Sequence, residues 1–497
     1  MKKYLVCIII FTFSLVVFAQ IDRGQVDSLG RFPFHENTKI YFICDNVTGN
    51  NQWFNYIREA VNRTSKASVV RNEPFSDKMT NINMQFDTVL DKNPTIAVIY
   101  VGMSELAYNR NDPDALKTVI EDYEKTVRSM VEKLKDNYVL PLIVTPVLLG
   151  EKKHEPNPID DELNTVAELT VKIGSDYGVP VINLRDIFVN YLAQHKNDER
   201  DAGVLTNDGL YFNENGSWLA AAEISRGILQ VINNNPGYLL FSLNPSTNNL
   251  EFHGRAQIAI FPMDTSFKDT TIRFSTSTTG ARTINENSSQ YDNPINISRD
   301  LIVTAAMFVG QAKIGVDSTR SFIKAEPLSP IETPEGMSLI QNGLIYKLYN
   351  ELSLNGMPRE YIFPEEKFSG SGYTKSLTLN DITNLSENFA LDIIGYIEIK
   401  DGGIYSFKTT SDDGSVLFID KKLIVNNDGS HGTQSVEGSV VLAPGFHPIR
   451  IMYFQGGGGY AFDVFWKSVE DNDFTIIPGD ILYSESFPEI YYTQEHK

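Results

Sequence analysis

The sequence predicts a multidomain protein in which an α/β domain is followed by two all-β sandwiches. The chain has 497 residues, which is too long for one hydrophobic core and suits domains of ~100–200 residues each. Short apolar runs alternate with longer helical patterns up to about residue 229, whereas no long helical period returns after residue 232. This change separates a mixed α/β region from the all-β regions that follow.

The chain begins with two lysines, an apolar stretch and small residues at a V-F-A site, in the sequence MKKYLVCIIIFTFSLVVFAQ. This pattern is typical of a secretory signal peptide, and we expect residues 1–19 to be removed by cleavage after Ala19. A transmembrane anchor is the alternative, but the apolar run is short for the ~20 residues needed to span a bilayer. The leader predicts a bacterial protein that is secreted, periplasmic or at the cell surface, with no membrane span after signal cleavage.

The α/β domain is predicted over residues 35–232. Its strand candidates are β-branched and almost continuously apolar: KIYFIC (39–44), TIAVIYVG (95–102), LPLIVTP (140–146) and VPVINL (179–184). Amphipathic helical patterns lie between them, at residues 114–136 and 160–178. Continuous apolar strands separated by helices predict a parallel sheet that is covered on both faces.

The two all-β domains follow turn-rich joints. The segment NNNPG (233–237) precedes a domain predicted over residues 238–328, which contains strand patterns such as QIAIFP, TIRFSTS and LIVTAAMFV. The segment EPLSPIETPEG (326–336) precedes the last domain, predicted over residues 337–485. In that domain nearly every segment alternates apolar and polar residues between turn residues, which predicts antiparallel strands with one face toward a core.

Charge and cysteine content limit the partners. The formal net charge is −20, and an acidic surface repels phosphate backbones and anionic membranes, so no nucleic acid partner is expected. The same charge is compatible with neutral glycans or with cations such as calcium.

Cys44 is the only cysteine outside the leader, so no intramolecular disulfide is expected, and its apolar strand predicts a buried small residue.

The order of elements over residues 39–230 resembles the SGNH (GDSL-type) hydrolase family, which implies a flavodoxin-like α/β fold. The segment FICDNVT (42–48) stands where the family has its GDS motif and places Asn46 at the nucleophile. The segment NEPFSD (72–77) stands at the second block without a glycine, and GMSE (102–105) places Ser104 at the oxyanion-hole asparagine. The segment DGLYFNENGSWLAAAEI (208–224) keeps Asp208 but places Tyr211 at the histidine position.

These replacements predict that the α/β domain is catalytically degenerate. The amide of Asn46 is not a nucleophile that forms an acyl-enzyme, and the phenol of Tyr211, with an ordinary pKa near ~10, is a poor general base. The oxyanion hole lacks its usual donors. A displaced catalytic set is the alternative, with His35, His154 or His195 as the base, and His154 lies in a loop after a strand.

Structural roles are open for the same positions. Asp208 can cap the turn or helix that follows it, and Tyr211 and Trp218 can be packing residues whose polar tips reach a partner. The old cleft can also survive as a ligand pocket.

Residues 271–315 resemble the small sandwich that follows the catalytic domain in chitobiases and β-hexosaminidases. The matching points are Phe274, Gly280, Ser288, Tyr291, Pro294, Ala305 and Phe308. The resemblance names no site and implies a spacer.

Residues 343–484 resemble the domain first named in anthrax protective antigen and shared by glycosidases, adhesins and flocculins. The matching segments include GLIYKLYN (343–350), residues 395–424, NNDGSHG (426–432), residues 443–466 and IIPGDILY (476–483). In lectin-like members, two consecutive aspartates joined by a cis peptide bond hold a calcium ion, and sugar hydroxyls complete its coordination.

The resemblance places the calcium and glycan site at Asp412 and Asp413, in SDDGS (411–415), facing the glycine run Gly456–Gly459. Calcium takes six to eight hard oxygen ligands, which two carboxylates on one turn begin to supply. Four glycines let backbone carbonyls approach a ligand and adopt positive φ. The alternative is an ordinary turn, because Asp-Asp-Gly is also a turn signal.

Other polar residues of this domain receive structural interpretations. We interpret Asp428 as part of a hairpin turn, and His431 and His447 as structural residues at strand edges. Nothing in the sequence distinguishes Asn426 and Asn427, which can line the rim of the site.

Three hypotheses follow from the sequence. The first is an exported carbohydrate-binding protein, with a poly- or oligosaccharide as partner and calcium as the implied cofactor. The second is an active carbohydrate esterase with a displaced catalytic set. The third is a structural surface protein whose domains are spacers or docking faces.

Overall fold

The structure is a computed structural model. It describes residues 23–485 apart from residues 50–51, 72–78, 80–81, 83–85, 87–88, 91, 154–156, 246–249, 333–338, 341–342 and 359. The predicted leader, the block at 72–77 and His154 therefore lie outside the described residues. Among the helices within the described ranges, none combines the length and the apolar character needed to cross a bilayer.

The α/β domain is built on a parallel sheet with the strand order β2-β1-β3-β4-β5, which is the order of the flavodoxin-like fold that the resemblance implies. Its strands are β1 (Lys39–Cys44), β2 (Ser68–Arg71), β3 (Ile96–Tyr100), β4 (Leu140–Val144) and β5 (Val181–Ile182). Its described helices are α1 (Gly24–Gly30), α2 (Asn46–Gly49), α3 (Trp53–Thr64), α4 (Met103–Tyr108), α5 (Pro113–Asp136), α6 (Asp160–Tyr177), α7 (Leu184–His195) and α8 (Glu214–Asn234).

Two hydrophobic clusters cover the two faces of this sheet. One contains residues of α1, α3 and α8, and the other contains residues of α5 and α6. The strands β1, β3 and β4 are buried on both faces, which explains their continuous apolar sequences. Cys44 is fully buried at the end of β1, and burial raises the pKa of its thiol. Helix α1 packs on α3 and α8 and precedes residue 35, where the domain is predicted to begin.

The middle region is a small sandwich of two sheets around one core. The described strands are β6 (Leu239–Asn244), β7 (Glu251–Phe252), β8 (Ala256–Pro262), β9 (Thr270–Ser277), β10 (Ser289–Gln290), β11 (Ile295–Ile297), β12 (Leu301–Val309) and β13 (Ala312–Lys324). One sheet has the order β10-β9-β12-β13-β7, and the other has the order β11-β8-β6. Tyr291 joins the two sheets, because its ring packs against Phe274 and its hydroxyl accepts a hydrogen bond from the Ile260 N–H at 3.1 Å.

The C-terminal region is a larger sandwich of mostly antiparallel strands. Its described strands are β14 (Leu339–Ile340), β15 (Leu344–Asn350), β16 (Phe368–Thr374), β17 (Phe389–Ile399), β18 (Gly403–Asp412), β19 (Ser415–Ile419), β20 (Lys422–Asn427), β21 (Gln434–Leu442), β22 (Gly445–Gln455), β23 (Ala461–Ser468), β24 (Thr475–Ile476) and β25 (Leu482–Glu485). The larger sheet runs β14-β25-β17-β22-β19-β20, with β15 and β16 attached through β17, and the smaller sheet runs β21-β18-β23-β24. The main core lies between the sheets, and a second cluster lies on the outer face of the larger sheet.

Part of the segment that joins the two sandwiches packs against the C-terminal sandwich. The Leu328 N–H donates to the Val441 carbonyl at 2.9 Å, the Ala443 N–H donates to the Leu328 carbonyl at 3.0 Å, and the Leu328 side chain packs against the main core. The Ile331 N–H donates to the Phe446 carbonyl at 2.9 Å. The domain bounds at 328 and 337 stay predictions, but residues 328–331 make their described contacts with β21, β22 and the turn between them.

Candidate functional site

The carboxyl ends of β1 and β3 are joined by the buried carboxylate of Asp45. This carboxylate accepts hydrogen bonds from the backbone N–H groups of Thr48 at 2.8 Å, Gly102 at 2.7 Å and Ser104 at 3.1 Å. Burial raises the pKa of Asp45, while the hydrogen bonds from Thr48 and Ser104 lower it, and the net direction is upward. Asp45 therefore fixes the turn after β1 against the start of α4.

Asn46 and Ser104 lie at this junction. Asn46 is the first residue of α2, and Ser104 is buried in the first turn of α4. The Ser104 hydroxyl oxygen accepts a hydrogen bond from the Val47 N–H at 3.0 Å, so it supports the turn that carries Asn46. The junction thus brings two of the degenerate positions together in a backbone-linking network.

Asp208 and Tyr211 lie in the loop before α8, and Asp208 acts as a turn cap. Its Oδ1 atom accepts hydrogen bonds from the N–H groups of Leu210 at 3.0 Å and Tyr211 at 2.8 Å. The Asp208 side chain is exposed, and Tyr211 is half-buried against the hydrophobic cluster of α5 and α6. These are the contacts of a capping residue and a packing residue.

A buried ion pair holds the same loop in place. Glu151 is fully buried, and its carboxylate accepts hydrogen bonds from the N–H groups of Val204, Leu205 and Thr206 at 2.8, 2.8 and 2.6 Å. The Lys196 ammonium, which is also buried, lies 3.8 Å from Glu151 Oε2. The sequence alone gave no sign of this pair, because EKKHEPNP has the composition of an exposed charged loop.

The two described histidines of the α/β domain have stacking partners. The ring of His35 stacks on Phe261 of the middle sandwich at 4.5 Å, and the ring of His195 stacks on Tyr191 at 4.0 Å. Trp218 stacks on Tyr56 at 3.9 Å, and the guanidinium carbon of Arg23 lies over the Trp218 ring, 4.0 Å from its centroid. Each of these rings therefore has a packing role.

The C-terminal sandwich brings Asp412 and Asp413 together with the glycine loop Gly456–Gly459. The peptide bond between the two aspartates is cis. Asp413 is 7% exposed; its Oδ1 atom accepts a hydrogen bond from the His431 N–H at 3.0 Å, and its Oδ2 atom accepts one from the Gly456 N–H at 2.9 Å. The Asp412 carboxylate is more exposed, and its Oδ2 atom accepts a hydrogen bond from the Thr433 hydroxyl at 3.4 Å.

The glycine loop approaches both carboxylates closely. A Cβ atom at Gly456 would lie 3.3 Å from Asp413 Oδ2, and one at Gly459 would lie 3.1 Å from Asp412 Oδ2. A larger residue at either position would crowd the carboxylates, so steric contact explains why both positions are glycine. Within the run, positive φ occurs at Gly458, with a value of 93°. The carbonyl groups of Gly456 and Gly459 already accept hydrogen bonds from Asn388 and Gln455, which leaves those of Gly457 and Gly458 as the candidate ligands from this loop.

Tyr453 and Gln455, near the end of β22, support the aspartates from behind. The Tyr453 hydroxyl lies 2.6 Å from the Asp412 carbonyl oxygen and donates to it, and Gln455 Oε1 accepts a hydrogen bond from the Asp413 N–H at 3.0 Å. Burial, followed by the charges of Asp413 and Asp412, raises the pKa of Tyr453. The sequence analysis did not identify these two residues. A tyrosine and a glutamine just before a glycine run, at the end of a strand, are a pattern that could have indicated their supporting role.

The charge of the aspartate pair is not balanced by a described cation. The ion pairs described in this sandwich involve Glu351, Asp392 and Asp420, and none includes Asp412 or Asp413. Among the residues that the structure describes, no group of three or more His, Cys, Asp or Glu side chains could hold a metal ion. A calcium ion here would therefore depend on two carboxylates and on backbone carbonyls.

The remaining polar candidates have partners of their own. Asp428 Oδ1 accepts hydrogen bonds from the N–H groups of Gly429 and Met357, both at 2.7 Å, so it stabilises its turn and also holds the segment at 357. Asn427 is buried, and its side chain bonds to Ser411 and Gln434, so it does not line a rim. Asn426 accepts a hydrogen bond from the Asp428 N–H at 3.2 Å.

Two family models match the chain. The model described as the GDSL-like Lipase/Acylhydrolase family matches residues 39–219, and the PA14 domain model matches residues 378–473. The resemblances predicted for the first and last domains are confirmed, while the chitobiase-like resemblance of the middle domain stays a prediction. This domain combination indicates a carbohydrate-binding protein or an esterase.

Solved structures of three similar proteins illustrate the two kinds of domain. An acetyl xylan esterase is 21% identical, with 38% of this chain and 99% of that chain covered, at a TM-score of 0.34. The Epithelial Adhesin 6 A domain from Candida glabrata, in complex with Galb1-3GlcNAc, is 18% identical over 31% of this chain and 90% of that chain, at a TM-score of 0.26. A PA14 sugar-binding domain from an RTX adhesin is 15% identical over 29% of this chain and 98% of that chain, at a TM-score of 0.25. A comparison with curated proteins gives no match.

Proposed function

We propose that this chain, which combines a GDSL-like lipase/acylhydrolase domain with a PA14 domain, is an exported carbohydrate-binding protein. Its C-terminal sandwich binds a poly- or oligosaccharide at Asp412 and Asp413 with the help of calcium. Its α/β domain does not hydrolyse esters and serves as a frame for packing or binding.

One observation carries the proposal for the C-terminal site. Two adjacent carboxylates, at Asp412 and Asp413, lie beside a loop of four glycines, and the described ion pairs of the sandwich leave their charge unbalanced. Holding two negative charges together is unfavourable unless a cation or hydrogen-bond donors stabilise them. The N–H groups of His431 and Gly456 supply two donors to Asp413, and a divalent cation would neutralise the rest.

The donor set fits calcium. Each carboxylate oxygen of Asp413 can accept more than one hydrogen bond or ligand contact, so the bonds from His431 and Gly456 leave it able to bind a metal. The Asp412 carboxylate and the carbonyls of Gly457 and Gly458 are further hard oxygen donors, which calcium prefers. The bound ion would supply positive charge and open coordination positions, which sugar hydroxyls can fill.

At the described family positions, the α/β domain does not carry the groups that acyl transfer requires. Asn46 offers an amide where the related hydrolases have a nucleophilic hydroxyl, and the buried Ser104 hydroxyl accepts from the Val47 backbone. Asp208 caps its own turn, and the described histidines at 35 and 195 stack on aromatic rings. This arrangement favours a frame over an active esterase.

A glycan-array screen of the purified full chain tests the binding proposal. We expect binding to neutral oligosaccharides in calcium that is lost in EDTA and lost in Asp413→Asn. The matched control is Asp473→Asn, which removes an exposed carboxylate of the same domain and should leave binding unchanged. Calcium-independent binding that survives Asp413→Asn, or no glycan binding under any condition, would overturn the assignment of this site.

A further inference from the structure

The outer face of the larger C-terminal sheet contains a pocket of about 490 Å³. On this face, residues such as Leu352, Leu354, Met357 and Phe363 pack over Met452 and Phe454 and form the second cluster of the sandwich. The pocket opens beside this cover, and its described lining includes residues of β15, β17, β19 and β22 and Glu485 at the end of β25.

The floor of the pocket is one row of side chains across four neighbouring strands. Ile345 of β15 is paired with Ile394 of β17, Ile394 is paired with Arg450 of β22, and Arg450 is paired with Phe418 of β19. Directly paired residues point to the same face of a sheet, so these four side chains all face the pocket. The floor is therefore apolar at one end and aromatic at the other, with a guanidinium between them.

Aromatic rings and carboxylates form the walls. The rings of Tyr361 and Phe418 meet edge to face at 5.0 Å on one side. On the other side, the Tyr396 hydroxyl donates a hydrogen bond to the Glu485 carboxylate, and the pKa of Tyr396 is raised to about 12, first by burial and then by that carboxylate. Tyr396 therefore keeps its proton at neutral pH, and its hydroxyl donates to the Glu485 carboxylate and holds it in place.

The Arg450 guanidinium is fixed in place with part of its donor capacity left over. Its Nε and Nη2 atoms donate to the two oxygens of Asp392 at 2.8 and 3.0 Å, and Nη2 also donates to the Tyr361 carbonyl at 2.6 Å. These bonds use three of the five N–H donors of an arginine. The Nη1 group has no partner among the described residues, and the Arg450 side chain is 34% exposed.

The charges around the pocket favour a neutral ligand. Lys421 and Arg450 line it together with Glu360 and Glu485, so the formal charges of the lining side chains cancel. Asp392, behind Arg450, adds a negative charge, and the chain as a whole carries −20, which disfavours an anion. A neutral ligand with both apolar and hydrogen-bonding surfaces matches this lining.

We propose that this pocket is a second glycan site that binds a neutral mono- or disaccharide unit without calcium. A volume of about 490 Å³ lies within the range of about 300–1,000 Å³ typical of small-molecule pockets, which combine apolar walls with a few placed polar groups. A sugar ring has an apolar face, which Phe418 and Tyr361 can contact, and a rim of hydroxyls. The free donors of Arg450 and the carboxylate of Glu485 can bind those hydroxyls with charge-assisted hydrogen bonds.

The pocket is separate from the aspartate site. Arg450 and Gln455 are five residues apart on β22, which corresponds to about 17 Å at roughly 3.4 Å per residue. Sugar binding in the pocket uses no residue of the Asp412–Asp413 pair and needs no metal. The proposal therefore goes beyond the calcium-dependent site and can succeed or fail independently of it.

The test is saturation-transfer NMR on the purified full chain in EDTA, with cellobiose, xylobiose, diacetylchitobiose and lactose as probes. We expect at least one neutral disaccharide to bind in EDTA and to bind equally well to Asp413→Asn. Ile394→Trp fills the pocket from its floor and should weaken that binding at least about tenfold. Its control is Val469→Trp, an exposed position of the same domain that does not line the pocket and should leave binding unchanged.

A second variant covers the case in which Ile394→Trp does not fold. Glu485→Gln changes an exposed side chain at the end of β25, replaces the charged acceptor for the sugar hydroxyls with a neutral one, and should weaken binding several-fold. Absence of binding by all four disaccharides in EDTA overturns the proposal. Binding that persists unchanged in folded Ile394→Trp or in Glu485→Gln overturns it as well. Calcium-dependent binding that is lost in Asp413→Asn would report on the other site alone.

Discussion

Asp413 and Gly456 are joined by a hydrogen bond of 2.9 Å from the Gly456 N–H to the Asp413 carboxylate, although they are 43 residues apart in the chain. The bond connects the end of β18, in the smaller sheet, with the loop after β22, in the larger sheet. Asp413 is therefore a structural acceptor as well as a proposed ligand. Asparagine at this position keeps one acceptor oxygen, so it loses the charge together with one of the two backbone hydrogen bonds.

Calcium should stabilise the chain through Asp413. Binding to the folded state alone contributes RT ln(1 + [L]/Kd), or about 2.7 kcal/mol when free calcium is about one hundred times Kd. We expect the C-terminal unfolding transition to move up by a few degrees in calcium. The measurement is differential scanning calorimetry with calcium, with EDTA, and with magnesium, which prefers a tighter octahedral shell and should not replace calcium well.

The variant Asp413→Asn should still fold, with a lower melting temperature because one of its two backbone hydrogen bonds is lost, and it should lose the calcium response. Asp473→Asn should keep both, because its carboxylate is exposed and follows the end of β23 that lies away from Asp412. An identical melting temperature for the wild-type chain in calcium and in EDTA would mean that the aspartate pair is an ordinary turn.

The α/β domain should not turn over ester substrates. With an amide at Asn46 and a phenol at Tyr211, neither a nucleophile nor a base for acyl transfer stands at the expected positions. We expect the purified chain to hydrolyse p-nitrophenyl acetate and acetylated xylooligosaccharides no faster than a heat-denatured sample. Turnover that disappears in His154→Ala would instead establish a displaced catalytic set.

The sequence predicts most of the fold because the buried strands are short, β-branched and separated by clear helical periods. The strand predicted at 39–44 is β1 as observed, whereas the one predicted at 179–184 is shortened to Val181–Ile182. The shortening at its carboxyl end has a local cause, because the Asn183 side chain accepts a hydrogen bond from the Asp186 N–H and caps the start of α7. Capping by a side chain competes with strand continuation, and the apolar pattern alone does not report it.

The site is only partly predictable from the sequence. Adjacent carboxylates at 412 and 413 are visible as a local pattern, and so is the glycine run. The donors that hold Asp413, the N–H groups of His431 and Gly456, are backbone atoms brought together by β20, β21 and β22, so no side-chain pattern marks them. The Nη1 group of Arg450 is left free because Nε and Nη2 bond to Asp392 and to the Tyr361 carbonyl, which are distant in the chain. The sequence does not show this arrangement either.

The buried pair of Glu151 and Lys196 should be essential for the stability of the α/β domain. Lys196→Met leaves the Glu151 carboxylate buried without its cation, and breaking one half of a buried pair costs about 3–5 kcal/mol. The control is Arg200→Met, which removes an exposed partner of Asp198 and should cost less than about 1 kcal/mol. Calorimetric melting temperatures for the two variants check this, and equal values would show that Lys196 contributes no more than a surface charge.

The joint at 328–331 should stabilise the C-terminal sandwich. A fragment of residues 326–485 keeps the three backbone hydrogen bonds made by Leu328 and Ile331 and the packing of the Leu328 side chain, whereas a fragment of residues 337–485 loses them. With about 0.5–1.5 kcal/mol per hydrogen bond, the longer fragment should have the higher free energy of unfolding by a few kcal/mol. Urea unfolding of both fragments measures the difference, and equal values would place the start of the domain after residue 331.

The stability of the C-terminal sandwich should fall as the pH rises above about 6.5, because of His447. Its side chain is fully buried, with Nδ1 at 2.8 Å from the Asp420 carboxylate and Nε2 at 2.9 Å from the Ala443 carbonyl. Both neighbours are acceptors, so both ring nitrogens donate when the imidazole is protonated. Burial lowers the pKa of His447. The hydrogen bonds to Asp420 and Ala443, together with the charge of Asp420, outweigh burial, so the pKa is raised overall.

A histidine whose folded-state pKa is raised stabilises the fold fully below its unfolded pKa of about 6.5, and that contribution is lost as the pH rises through the folded pKa. His447→Gln removes the titrating group, so the difference in unfolding free energy between wild type and variant should shrink from pH 5.5 to pH 8.5. Val469→Ala is the control, because it changes an exposed position of the same domain without removing a titratable group, and it should keep the wild-type pH dependence. Urea unfolding at several pH values measures these differences, and a difference between wild type and His447→Gln that stays constant with pH would mean that the His447–Asp420 pair remains in one protonation state across this range.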